Sequence, residues 1–154
     1  MATRKATANQ TNNALWLAER EALLGAAQAM HREGLVVETS GNVSTRLNDA
    51  DLELIAITAS GTAYQTMTIG DIVVVDHHGE PVLGEAIPST EFLMHAAIYR
   101  ARPDVGAVMH THSTYASALA VSGLAIPPLI DEMVLSLGDG IQVSEYAFPS
   151  TEEL

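Results

Sequence analysis

Apolar residues in this chain come in runs that are strand-sized and no longer. "LIAIT" (54–58), "DIVVVD" (71–76) and "VGAVM" (105–109) are each bounded by polar or turn-forming residues, and stretches with helical spacing lie between them. A chain built this way can bury its short runs only by pairing them into a sheet and covering that sheet with helices, which predicts an α/β or α+β sandwich. "NALWLAEREALLGAAQAMHREG" places Leu15, Ala18, Ala22, Leu23, Ala26, Ala27 and Met30 at three- and four-residue spacing, with Asn12 or Asn13 as cap and Gly34 as stop. "NVSTRLN" and "ADLELIAIT" read as a hairpin turning at Asn48 and Asp49. A short helical turn at "TIGD" leads into "IVVVD", the "HHGE" turn and a weaker return strand at "VLGEA". "STEFLMHAAIYRAR" is predicted helical, capped by Ser89 or Thr90, with Phe92, Leu93, Ala96 and Ala97 on one face, and it ends before Pro103. "VGAVMHTH" is predicted as a strand, "STYASALAVSG" as a helix, and "GDGIQVSEYA" as a glycine turn into a further strand. The hairpins imply much antiparallel pairing.

A length of 154 residues, close to half of them apolar, suffices for one domain with a single core. The opening residues 1–13, "MATRKATANQTNN", lack the apolar stretch of a secretory signal and read as a disordered tail, with the domain spanning 14–154. No run approaches the roughly 18 apolar residues of a membrane span, so a soluble protein is expected. A net charge of −12 repels both nucleic acid and anionic membrane. Without cysteine there is neither a disulfide framework nor a thiolate, which fits a reducing cytoplasm and leaves His, Asp and Glu as the available metal ligands.

Chemistry concentrates in a few places. His110 and His112 in "MHTH" are two apart, so on a strand their imidazoles share a face, a spacing that suits a divalent metal and equally suits two hydrogen-bonded strand-end histidines. Glu91 and His95 are four apart and share a helix face. A carboxylate there is either a capping group or, beside a metal, a general base or an exchangeable ligand. "SGNVS", "TASG" and "PST" each combine hydroxyls with glycine or a helix start, the equipment for holding an anion in an acidic protein. His77 and His78 read as exposed turn residues and His31 as a partner of its helix C-terminus. Asp131 and Glu132 in "LIDEM" either line a pocket or begin a helix. In "FPSTEEL", Ser150 and Glu153 form a capping-box pattern that opens a helix, so either the last residues are a frayed tail or the chain stops where a longer protein would continue.

Taken in order, "SGNVSTR", "TASGTAY", "PSTEFLMHAAIYRARPDVGAVMHTHS" and "STEEL" resemble the class II aldolase/adducin family, in its fuculose-1-phosphate aldolase-like form, from about Leu15 to Leu154. The resemblance implies a three-layer α/β/α sandwich with a mainly antiparallel central sheet, typically assembled as a homotetramer. It further implies that His110 and His112 are two of three zinc ligands, that Glu91 is the acid/base carboxylate, and that Asn42, Ser60, Gly61, Ser89 and Thr90 bind a phosphate. The implied activity is zinc-dependent lyase chemistry, the aldol cleavage of a small ketose phosphate through a metal-stabilised enediolate. Epimerases, dehydratases and decarboxylases of sugar phosphates share these histidines, although the epimerases usually carry aspartate where Glu91 stands. The adducin branch uses the fold for protein interaction and lacks the pair. Two departures stand out. The family's third zinc histidine lies beyond the helix that "STEEL" would open, which reads as an absent C-terminal part, and Asp131 stands where a tyrosine lines the pocket of the fuculose enzymes.

Overall fold

The computed structural model describes residues 15–48, 53–148 and 151. The predicted tail at 1–13, the turn after Asn48 and the Ser150–Glu153 cap fall outside them. The elements run α1 (Leu17–Arg32), β1 (Asn42–Asn48), β2 (Glu53–Thr58), a 3-10 turn (Ile69–Asp71), β3 (Ile72–Val75), β4 (Pro81–Leu83), α2 (Phe92–Ala101), β5 (Ala107–His110), α3 (Thr114–Val121) and α4 (Asp131–Leu137). The strands form one sheet in the order β4-β3-β2-β1-β5, with every neighbouring pair antiparallel.

Because successive side chains on a strand alternate between faces, each strand feeds two cores. On one face Leu23, Ala27 and Met30 of α1 pack against Val43, Leu47, Leu54, Ala56, Ile72 and Val74. On the other, Phe92, Ala96 and Tyr99 of α2 pack against Ile55, Ile57, Val73 and Val75. The result is a three-layer α/β/α sandwich around an antiparallel sheet. All four residues of β3 are buried, which explains why its sequence is an unbroken apolar run rather than an alternating one. Helix α1 ends in a Schellman motif, with Gly34 N–H bonded to the His31 carbonyl and Leu35 N–H to the Met30 carbonyl while Gly34 takes a φ of 70°.

Several expectations are corrected. Leu15, Ala18 and Ala22 are exposed, and Arg20 occupies the inner face of α1 instead, its Nη2 donating to the Ile69 carbonyl at 2.8 Å. On α2 the inward residues are Phe92, His95, Ala96 and Tyr99, whereas Leu93 and Ala97 face solvent, because hydrogen bonds draw the two polar rings inward. The expected strand after Gly140 is only an isolated bridge between Ile126 and Ile141, since among the described residues no further strand lies alongside to continue the pairing. Asp131 and Glu132 occupy the first turn of α4. No described residue after Tyr99 is buried, and Tyr115 and Leu135 are each 86% exposed.

Met30 is 1% exposed at the α1–sheet contact. Met30→Ala should therefore lower the free energy of unfolding by about 2–5 kcal/mol through lost burial and a residual cavity, as measured by denaturant titration; a change below about 1 kcal/mol would show that α1 does not anchor this core.

Candidate functional site

The pairing of β1 with β5 sets Asn42 opposite His110, and directly paired residues project to the same side of a sheet, here the α2 side. Helix α2 starts beside them. Glu91 occupies its N-cap position, its own N–H bonded to Ser89 Oγ at 3.3 Å, so the carboxylate lands against the strand pair. Glu91 Oε2 accepts two hydrogen bonds, from Asn42 Nδ2 at 2.7 Å and from His110 Nδ1 at 2.6 Å. Strand β5 ends at His110 rather than continuing through His112, yet the two imidazoles remain side by side, with ring centres 4.8 Å apart and planes inclined by 33°. The backbone N–H of His112 is held by the Leu35 carbonyl at 3.0 Å.

The three small-residue turns meet at this point. Residues Asn42, Ser60, Gly61, Ser89 and Thr90, together with Glu91 and His112, border one cleft of about 210 Å³. A bridge between Ala59 and Pro88 aligns two of the turns, with Ser60 N–H on the Ile87 carbonyl at 2.8 Å and Ser89 N–H on the Thr58 carbonyl at 3.1 Å. The third turn is supported from within by buried Tyr64, whose hydroxyl donates to the carbonyls of Ser40 (3.0 Å) and Gly41 (2.6 Å). Burial, reinforced by the Glu91 charge, pushes that phenol up to about 12, so it stays a donor. Gly41 has a φ of 74°, and a Cβ on it would lie 2.6 Å from the His110 carbonyl oxygen. Only glycine allows the turn to approach the histidine strand this closely.

Beneath Glu91 runs a row of polar side chains. His95, 0% exposed, bonds Asn42 Oδ1 through Nε2 and Ser44 Oγ through Nδ1 (2.6 Å), and Ser44 Oγ also bonds the Tyr99 hydroxyl at 2.8 Å. Desolvation, reinforced by nearby His110 and opposed by Glu91, lowers His95 to about 4, so the ring is neutral. Burial likewise raises Tyr99. Sequence reasoning paired His95 with Glu91 but passed over Ser44, Tyr99 and Tyr64. A usable signal did exist: Glu91, His95 and Tyr99 recur every fourth residue on α2 while Asn42, Ser44 and Arg46 recur every second on β1. His77 and His78 lie apart from the cleft in an exposed turn. A second depression, of about 240 Å³, borders Tyr99 and Arg46 at the other end of α2, where the Arg46 guanidinium is taken up by backbone carbonyls.

Among the described residues no three His, Cys, Asp or Glu side chains converge as a ready metal cage. The donors present are nevertheless of the right chemistry for a divalent ion. Metal-bound histidines commonly donate their second ring N–H to a carboxylate, and Glu91 holds His110 Nδ1 in this way, leaving Nε2 free to coordinate beside His112.

Residues 21–154 match the family model described as Class II Aldolase and Adducin N-terminal domain. Over 110 residues the chain is 44% identical to the L-ribulose-5-phosphate 4-epimerase UlaF of Salmonella paratyphi B, an alignment covering 71% of this chain and 47% of that protein. Its fold is similar to that of a solved L-fuculose 1-phosphate aldolase (TM-score 0.79, 35% identity, 88% of this chain and 62% of that one). It is similar also to the l-fuculose-1-phosphate aldolase of Thermus thermophilus (TM-score 0.69, 27% identity, 86% and 64%). The chain thus spans about half to two thirds of the length of these relatives.

Because folded His95 binds its proton only near pH 4 while an unfolded imidazole does so near 6.5, the unfolded state holds more protons between these values. Stability should be complete above pH 6.5 and fall as pH drops towards 4, by about 3 kcal/mol from this group. The difference between wild type and His95→Gln in denaturant titrations across that window measures it; equal pH slopes would contradict the assignment.

Proposed function

Because the chain belongs to the class II aldolase and adducin family, we propose that its cleft is the active site of a metal-dependent enzyme acting on a small sugar phosphate, specifically an aldolase cleaving a ketose phosphate. The observation that supports this most is the meeting of a carboxylate, two imidazoles and three hydroxyl-bearing turns at one place, Glu91 being bonded to His110 on one side and bordering the turns on the other.

Each group has a role in this reading. His110, through Nε2, and His112 hold the ion, proposed to be zinc. When bound it supplies Lewis-acid stabilisation of negative charge on the substrate oxygens. Ser60, Gly61, Ser89 and Thr90, with Asn42 at the edge, grip the phosphate through hydroxyl and backbone N–H groups. Glu91 carries protons to and from the enediolate left when the carbon–carbon bond breaks. Both of its hydrogen bonds fall on Oε2, so Oε1 is left for the substrate's proton. The apolar side chains exposed along residues 113–148 support an oligomer, proposed to be a homotetramer, in which that surface is covered. No helix among the described residues is long and apolar enough to cross a membrane.

A second reading, sugar-phosphate 4-epimerisation, is favoured by the 44% identity to a protein named for that reaction. Product analysis separates the two, since an aldolase yields two carbonyl fragments and an epimerase returns an intact skeleton inverted at C4. With the full ligand set in place, chelator-treated protein should lose turnover and regain it with added zinc. His112→Ala should lose it irrecoverably, and Glu91→Gln should lose it by about 10²-fold or more while keeping the metal. One zinc per chain by elemental analysis would support the enzyme reading. Full turnover in His112→Ala would refute the metal assignment, and a metal-free native protein without turnover would favour an adducin-like interaction domain.

A further inference from the structure

The row behind Glu91 has a definite direction, set by which groups can donate and which can only accept. The Glu91 carboxylate only accepts, so Asn42 must present its NH2 to Oε2 and its carbonyl to His95. That carbonyl only accepts as well, so His95 carries its proton on Nε2. Its bare Nδ1 then accepts the Ser44 O–H, and Ser44 Oγ in turn accepts the Tyr99 O–H. Each proton from Tyr99 to Asn42 is committed, and all of them point toward the carboxylate.

We propose that His95, fixed in its Nε2–H form by the Asn42 carbonyl and backed by Ser44 and Tyr99, is a positioning residue for Glu91, acting through the Asn42 amide. An Asn side chain can rotate by half a turn at little steric cost, and the rotated amide would set its carbonyl against the carboxylate. The buried Nε2–H holds the productive orientation. The geometry of Glu91 is therefore maintained from inside the sandwich, between β1 and α2, as well as by His110. This inference rests on the reading of Glu91 as the proton-moving group. A histidine serving only to fill the core would leave Asn42 and Glu91 unaffected when a side chain of similar volume replaced it.

Three variants of the full chain test it: His95→Met removes both ring nitrogens at similar volume, His95→Gln restores an N–H donor near the position of Nε2, and Ser44→Ala removes the donor to Nδ1 without touching the ring. Nuclear magnetic resonance would follow the Asn42 side-chain amide and the ring nitrogens of His95, and kinetics would separate kcat from KM. In His95→Met the Asn42 amide signals should shift and kcat should fall about 10- to 100-fold, with KM changing far less because the phosphate-gripping turns are intact. His95→Gln should restore both, and Ser44→Ala should shift the His95 Nδ1 signal while the Nε2–H pattern persists. Unchanged Asn42 signals and kcat in a folded His95→Met would overturn the proposal, as would a His95→Gln that behaves like it. Should His95→Met fail to fold, the wild-type ring decides, since an Nδ1–H pattern there would overturn the proposal. If the wild type itself turns nothing over, the functional reading fails, and the Asn42 and His95 signals alone still decide the positioning.

Discussion

The contact between β1 and α2 is polar where most other contacts of the sheet are apolar, and the site depends on it. Asn42, Ser44 and Arg46 recur every second residue along the strand and Glu91, His95 and Tyr99 every fourth along the helix, so the two rows mesh. Arg46 completes the far end, its guanidinium 4.8 Å from the Tyr99 ring centre and its Nη2 donating to the Tyr99 carbonyl at 2.7 Å. Leaving any one buried member without a partner costs about 1–3 kcal/mol, so the groups form together or not at all. Apolar packing alone would tolerate rotation or sliding of α2. The polar row fixes its height and angle, and with them the place of Glu91.

This dependence also explains what could be read from the sequence. β3, the hairpin strands and the glycine stop of α1 were legible because their signals are local: an apolar run, turn residues and a position requiring positive φ. The inner face of α2 was misjudged because periodicity counts Leu93 and Ala97 as core and His95 and Tyr99 as surface, and only the partners on β1, about fifty residues away, reverse that order. The segment after Gly140 has strand-like composition but finds a single bridge, since a strand exists only through its neighbour. In the cleft, His110, His112 and Glu91 stood out because their residue types carry chemistry. Ser44 and Tyr64 did not, being ordinary residues whose importance lies wholly in what they touch.

The charge of the chain bears on how such a cleft could hold an anion. The chain carries a net charge of −12, and the described residues bordering the cleft offer no Lys or Arg to attract an anion. What they offer is short-ranged, the hydroxyls and backbone N–H groups of the turns, beside the ion proposed at the histidines. Such devices act within hydrogen-bond reach, so recognition should depend on shape more than on long-range steering.

Among the described residues His110 lies at the edge of the sheet, on a four-residue strand paired on one side only. Edge strands are the ones most able to slip, and a slip of one residue exchanges the two faces of a strand. For β5 that exchange would carry His110 over to the α1 side and set Met109 in its place beside Glu91, abolishing the chemistry without unfolding a single helix. The pairing of Asn42 with His110, reinforced by the side-chain bridge through Glu91, acts as the register pin that excludes this alternative. The residues proposed to do the chemistry thereby also help to specify the strand alignment the chain adopts.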